Sequence, residues 1–100
     1  MKKLYLYLAV KHGTNQYKIG CAYNLQKKIK NLCVSENTTT DIIQYGIGDF
    51  RDEFNINACF CENKQKDGWL ILNSNDVKYI QNIIKTGKYP KNPFYNYRAN

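Results

Sequence analysis

The sequence predicts a small α/β (α+β) domain in which a central antiparallel sheet of about three strands is flanked by helices. Its 100 residues are the size of one ordinary domain. Apolar residues alternate with a period of two near the N-terminus and recur at helical spacing further along. With 43% hydrophobic and 14% aromatic residues, the chain has enough apolar surface to fold unaided. We therefore expect one domain over residues 1–88 and an aromatic, basic tail over residues 89–100.

The first two strands are predicted to form a hairpin. Between Leu4 and Val10, leucine and valine alternate with tyrosine and alanine, which is the pattern of a strand with one buried face. The turn-forming residues His12 to Asn15 follow, and the next residues, 16–21, have the composition of a second short strand. We expect Tyr7 and Tyr17 to lie on the outer face of this hairpin.

The rest of the domain is predicted to contain three helices and one further strand. Asn24 can cap a basic first helix, whose apolar residues recur at helical spacing: Leu25, Ile29, Leu32 and Cys33. Residues 41–47 are predicted as the third strand. The apolar positions of residues 50–61 fit a helix poorly and a strand in part, and we predict a helix. Residues 74–76 can cap a last helix that Gly87 closes.

The charge of the chain favours a polyanionic partner. Fifteen Lys and Arg residues against eight Asp and Glu give a net charge of +7. The excess is spread over both halves, and Lys18, Lys27 and Lys30 are the candidates for contacts with nucleic-acid phosphates. A charge that only keeps the protein soluble is the alternative.

Hydropathy and cysteine spacing predict an intracellular protein, cytoplasmic or nuclear, that neither associates with a membrane nor binds zinc. The apolar stretch Leu4–Val10 has seven residues, far fewer than the roughly 20 that span a bilayer, and the residues after it do not resemble a signal-peptide cleavage site. The four cysteines lack CxxC spacing. A zinc site built from Cys59, Cys61 and His12 is therefore rejected in favour of free thiols.

Two blocks of residues carry a family resemblance. The first block is Tyr5-Leu6-Tyr7, followed by Tyr17-Lys18-Ile19-Gly20 and by residues 24–29. The second block is Glu53, then Ile56-Asn57 and Phe60, and nine residues later Trp69-Leu70. Together they resemble the GIY-YIG nuclease superfamily, most closely its small phage and viral branch, over about residues 4 to 84. The resemblance implies a GIY-YIG-like fold and a metal-dependent DNA endonuclease.

The resemblance also implies roles for individual residues. Tyr7 matches the tyrosine of the first half-motif, and Tyr17 matches that of the second. Lys28 stands where the family usually has an arginine, and Glu53 stands at its single metal-binding carboxylate. Besides Lys28, three positions depart from the family: its leading glycine, a histidine after the glutamate and the acidic residue before the tryptophan are here Tyr5, Asn57 and Gly68, with Asp67 one position earlier.

These residue types suit the hydrolysis of a phosphodiester, which needs a nucleophilic water and a sink for charge on the phosphoryl oxygens. Glu53 would hold Mg²⁺ or Mn²⁺, since such ions keep several waters and take few protein ligands. Tyr7, with a pKa lowered by the metal and nearby lysines, would accept the proton of the water, and Tyr17 would orient it. Lys28 would place positive charge near the phosphate, without the planar fork of arginine.

Two other functions remain open at this point. A catalytically silent module of the same fold would bind DNA or RNA through its basic first helix and tail. A protein-interaction factor would use the aromatic tail, residues 89–97, as its contact surface. Tyrosines on a strand usually pack, a lysine on a helix is usually solvated, and we expect Trp69 to be structural because an apolar run follows it.

Overall fold

The computed structural model describes residues 2–95. Four strands and three helices follow each other in the order β1, β2, α1, β3, α2, β4 and α3. Their bounds are β1 Tyr5–Lys11, β2 Gln16–Ala22, α1 Leu25–Ser35, β3 Thr40–Ile47, α2 Phe50–Cys59, β4 Leu70–Ile71 and α3 Ser74–Thr86. The predicted α/β class, an antiparallel sheet flanked by helices, is confirmed. The sheet has four strands where we expected about three.

All neighbouring strands of the sheet are antiparallel, in the order β3-β1-β2-β4. The predicted hairpin is confirmed, and its loop consists of residues 12–15. The apolar run after Trp69 forms the extra strand, in which Leu70 and Ile71 pair with Tyr17 and Gln16. Because β4 ends there, β2 from Lys18 onwards is an outer edge of the sheet.

Helices cover both faces of the sheet because the strand residues alternate between two apolar clusters. Leu6, Leu8 and Ile19 pack on one face with residues of α2 and α3. Tyr7 and Ala9 point to the other face, where α1 contributes Leu32, Leu25 and Ile29. The alternation of side chains along β1 therefore separates Tyr7 from its neighbours Leu6 and Leu8.

Each helix begins at a side chain that accepts a backbone hydrogen bond. As predicted, Asn24 caps α1, and its Oδ1 accepts from the backbone N–H of Lys27 at 3.1 Å. Asp49 caps α2 and Asn73 caps α3, each in a reciprocal capping box. The expected cap of α3 within residues 74–76 was thus placed too late by one position or more. Gly87 closes α3 in the left-handed conformation, as predicted.

Helix α2 has large apolar side chains on both of its faces. Ile56 is fully buried, and Phe60, just after the helix, is also buried, whereas Phe50 and Phe54 are 59% and 63% exposed. A helix with one apolar stripe would have shown a clear period of 3.6 residues. The exposed phenylalanines explain why the spacing of residues 50–61 fitted a helix poorly, although the predicted helix is present.

The segment after α3 folds back onto α2 and β3. Tyr89 donates a hydrogen bond from its hydroxyl to the Ile47 carbonyl at 2.7 Å, and the Asn55 amide donates to the Pro90 carbonyl at 3.1 Å. Phe94, in contrast, is 89% exposed. The part of the expected contact surface in residues 96–97 lies outside the described residues.

The helices of residues 2–95 are all too short or too polar to cross a bilayer. The longest of them, α3, has 13 residues.

Candidate active site at the edge of strand β2

Tyr7 lies at the centre of the sheet and is only 1% exposed. It pairs with Gly20 of β2 and Tyr45 of β3. Its phenol ring crosses Gly20, because a Cβ atom at position 20 would overlap the Tyr7 hydroxyl and lie 2.7 Å from the ring carbon Cζ. Gly20 therefore gives the phenol a path to the edge of β2, which only a residue without a side chain allows.

Glu53 approaches the same edge from α2, on the other side of the sheet. The capping box at Asp49 fixes the first turn of this helix. Glu53 is part of this turn, and its side chain is half-buried. The amide of Asn57, one turn later, donates to the Ile19 carbonyl at 3.4 Å and thereby ties α2 to β2. These contacts place the Glu53 carboxylate beside the residues around Gly20.

Tyr7, Cys21 and Glu53 influence one another electrostatically. Burial, then the Glu53 charge and then Cys21 raise the pKa of the Tyr7 phenol to about 12. Burial, then the Glu53 charge and a hydrogen bond to the Glu53 side chain raise the pKa of the Cys21 thiol to about 12. The Cys21 thiol also donates to the Asp49 carbonyl at 3.3 Å. Both groups are therefore neutral at pH 7 in the protein without bound ions. The lowering of the Tyr7 pKa that we expect depends on a bound metal ion and stays a prediction.

Tyr17 does not belong to this site. It pairs with Val10 and Leu70, and its side chain packs against the cluster on the α2 and α3 face. The reason is the period of two along β2, since Tyr17 is an odd number of residues from Gly20. The prediction that Tyr7 and Tyr17 share one outer face is thus wrong, and Tyr17 cannot orient the Tyr7 phenol.

Lys28 lies on the sheet-facing side of α1, between Leu25 and Leu32, which pack in the cluster around Tyr7. It is half-buried, whereas Lys27 and Lys30 on the same helix are exposed. The first helix therefore has one lysine, Lys28, near the sheet face of Tyr7. Its other two lysines, Lys27 and Lys30, are accessible to solvent or to a polyanion.

Trp69 is fully buried and forms part of the core, as predicted. The ammonium groups of Lys11 and Lys18 lie 4.5 Å and 4.9 Å from its ring centroid. The Lys18 ammonium is also 3.4 Å from Glu36 Oε1. A phosphate that contacts Lys18, one of the predicted contact residues, would compete with Glu36 for this ammonium group.

Cys21 is the residue of the site that the sequence did not suggest. Its position next to Gly20 was the available signal, but its approach to Glu53 depends on how α2 packs against β2. Residues 2–95 contain no group of three or more His, Cys, Asp and Glu side chains arranged to hold a metal ion.

Gly20→Ala is expected to lower the free energy of unfolding by about 1–3 kcal/mol, the range for adding a methyl group to a packed site. The reason is the overlap with the Tyr7 ring. Urea unfolding of Gly20→Ala in the wild-type and Tyr7→Leu backgrounds checks this. The cost should shrink in the Tyr7→Leu background, and an equal cost in both would place the phenol elsewhere.

A comparison of this chain with protein-family models, with curated proteins and with solved structures found no match.

Proposed function

We propose that this protein is a metal-dependent DNA endonuclease of the GIY-YIG type, which hydrolyses phosphodiester bonds at the edge of β2 beside Gly20. The observation that supports this most is that the Glu53 charge acts on the Tyr7 phenol, although Tyr7 and α2 lie on opposite faces of the sheet. A buried phenol next to an acidic side chain at the surface of a basic domain offers the groups that phosphodiester hydrolysis needs.

The carboxylate of Glu53 fits a hard divalent ion such as Mg²⁺ or Mn²⁺. Asp49 and Asp52 bind each other's backbone N–H groups in the capping box, at 3.1 Å and 2.9 Å. Glu53 is thus the carboxylate of this turn that faces Tyr7 and Cys21. Mg²⁺ is typically held by one or two carboxylates and keeps several waters, one of which can attack a phosphodiester.

Tyr7 would act as the general base once the cation is bound. The Glu53 charge is the second cause of the raised pKa of Tyr7. A cation on Glu53 would offset this charge and lower the pKa of the phenol. The phenol would first lose its own proton to solvent, and the resulting phenolate would accept the proton of the attacking water. Lys28 would supply positive charge to the phosphoryl oxygens.

A catalytically silent nucleic-acid-binding module is the second candidate. The raised pKa of Tyr7 and the placement of Tyr17 on the other face favour it, because both weaken the case for catalysis. The hydrogen bonds that join Tyr89 to β3 and Pro90 to α2 weigh against the third possibility, a protein-interaction factor with the tail as its contact surface, whereas the exposed Phe94 fits it.

A cleavage assay separates the first two candidates. Supercoiled plasmid, branched DNA and single-stranded DNA are incubated with the protein in Mg²⁺, in Mn²⁺ and in EDTA. The endonuclease yields cut products in either metal and none in EDTA. A silent module binds the same DNA and leaves it intact under all three conditions.

Binding to duplex DNA is expected to weaken steeply with salt, because lysines displace condensed counterions from the phosphates. The double reversal Lys27→Glu with Lys30→Glu should weaken binding on all sequences alike and lower the salt slope by about 2. Fluorescence anisotropy in EDTA between about 50 and 200 mM salt checks this.

The matched control is Lys78→Glu with Lys85→Glu, two exposed lysines on α3, which changes the net charge equally. An equal loss of affinity in both double variants would show that net charge alone, and not α1, governs binding.

A further inference from the structure

A wide groove runs between α1 and β3 on the sheet face that carries Tyr7. Its volume is about 1140 Å³, and its walls include three tyrosines, namely Tyr5, Tyr23 and Tyr45. Neither Tyr7 nor Glu53 lines it, so this α1–β3 groove is distinct from the active site proposed above.

Two of the three tyrosines of the groove are exposed, and Tyr5 is partly buried. Tyr23 and Tyr45 are 55% and 58% exposed. Tyr45 is held by an edge contact to Tyr5, with ring centroids 6.0 Å apart and planes at 79°. Val34, 82% exposed, extends the apolar surface along α1. A cluster of exposed large apolar side chains around one groove marks an interaction site.

The charged residues around the groove favour a negatively charged partner. Lys2 and Lys30 line it, and Asp41 is its one acidic residue among the described residues. The chain as a whole carries a net charge of +7. A polyanion is therefore attracted to the groove, whereas a cationic partner would be repelled.

Exposed tyrosines beside lysines suit a single strand better than a duplex. Unpaired bases stack on aromatic side chains while lysines contact the phosphates between them. In a duplex the base faces are already covered by their neighbours, so the rings of Tyr23 and Tyr45 would find nothing to stack on.

We propose that the α1–β3 groove binds a single-stranded segment of nucleic acid, with Tyr23 and Tyr45 stacking on unpaired bases and Lys2 and Lys30 contacting the phosphates. This inference extends the proposed function and rests on it only for the choice of DNA as the polyanion. Tyr5 and Tyr7 are two residues apart on one face of β1, about 7 Å along the strand. A strand in the groove would thus lead towards the cleavage site.

The test is equilibrium binding of a fluorescein-labelled single-stranded oligonucleotide and of a hairpin duplex, measured by anisotropy in EDTA. Tyr23→Ala and Tyr45→Ala should each weaken binding of the single strand about tenfold, the scale of one lost stacking contact. Duplex binding should change less than about twofold. Tyr45→Phe should bind like the wild type because it keeps the ring. Phe94→Ala, which removes an exposed ring outside the groove, is the control and should also bind like the wild type.

Unchanged single-strand binding in both alanine variants would overturn the proposal. So would a concentration-dependent dimer that Tyr45→Ala dissolves while leaving oligonucleotide binding intact, since a second copy of the chain would then occupy the groove. The measurement is independent of cleavage because it is made in EDTA. Failure of the endonuclease assignment would therefore appear as intact DNA in Mg²⁺, with the stacking result unaffected.

Discussion

Glu53→Gln is expected to lower the rate of Mg²⁺-dependent DNA cleavage by at least about 10²-fold, the scale on which one electrostatic contribution to a transition state is lost. Glutamine keeps the size of the side chain but removes the charge that holds the ion. Because Glu53 is half-buried and polar, the free energy of unfolding should stay within about 1 kcal/mol of the wild type. Single-turnover cleavage of end-labelled DNA and urea unfolding provide the two measurements.

The same variant has a second readout that needs no activity. Without the Glu53 charge, the pKa of Tyr7 should fall below its value of about 12. An earlier rise of tyrosinate absorbance in an alkaline titration would show this. Glu62→Gln, which alters an exposed carboxylate in the turn after α2, is the matched control and should leave both readouts unchanged. A purified Glu53→Gln protein that cuts DNA at the wild-type rate would contradict the assignment.

Tyr7→Phe is expected to reduce cleavage by about 10²-fold or more, because general acid–base catalysis contributes on this scale and phenylalanine cannot form the phenolate that would accept the proton. Tyr17→Phe is the matched control. It removes the same atom from a tyrosine that packs on the opposite face of the sheet, so it should cut DNA like the wild type. Equal losses of cleavage in the two variants would mean that each hydroxyl supports the folded structure and that neither takes part in catalysis.

The pH dependence of stability provides a further check on Tyr7. The phenol ionises near pH 10 in the unfolded chain but near 12 in the folded protein. The unfolded state therefore releases its proton first, and folding stability falls as the pH rises from about 10 towards 12. Tyr7→Phe should reduce this alkaline loss when urea unfolding is compared at pH 8 and pH 11. If Tyr7→Phe loses as much folding stability between pH 8 and pH 11 as the wild type does, the Tyr7 hydroxyl lies in a solvated environment.

Local signals in the sequence predicted most of the fold. The alternation in β1, the turn at residues 12–15 and the cap at Asn24 each depend on a few neighbouring residues, and the structure confirms them. The cap of α3 was misplaced for a local reason. Residues 73–76 are all of types that cap helices, so the pattern indicated the start of the helix but not which of them accepts the hydrogen bond.

The features that were missed depend on contacts between distant elements. The short β4 pairs with two residues of β2, and its end leaves Gly20 and Cys21 at the edge where α2 brings Glu53. Spacing within the chain carries no information on such an approach. The placement of Tyr17, in contrast, follows from spacing within one strand. Side chains alternate between the two faces along β2, and Tyr17 is three residues from Gly20, so it lies on the opposite face from Gly20 and from Tyr7, which pairs with Gly20.

The most direct test of the proposed site is the single-turnover cleavage rate, in Mg²⁺, of the double variant Tyr7→Phe/Glu53→Gln. If the phenol acts only through the ion that Glu53 holds, the two side chains work as one unit and their losses do not multiply. The double variant should then be no slower than the slower single variant. Losses that multiply would contradict a shared site, and a double variant as fast as the wild type would contradict catalysis at the edge of β2.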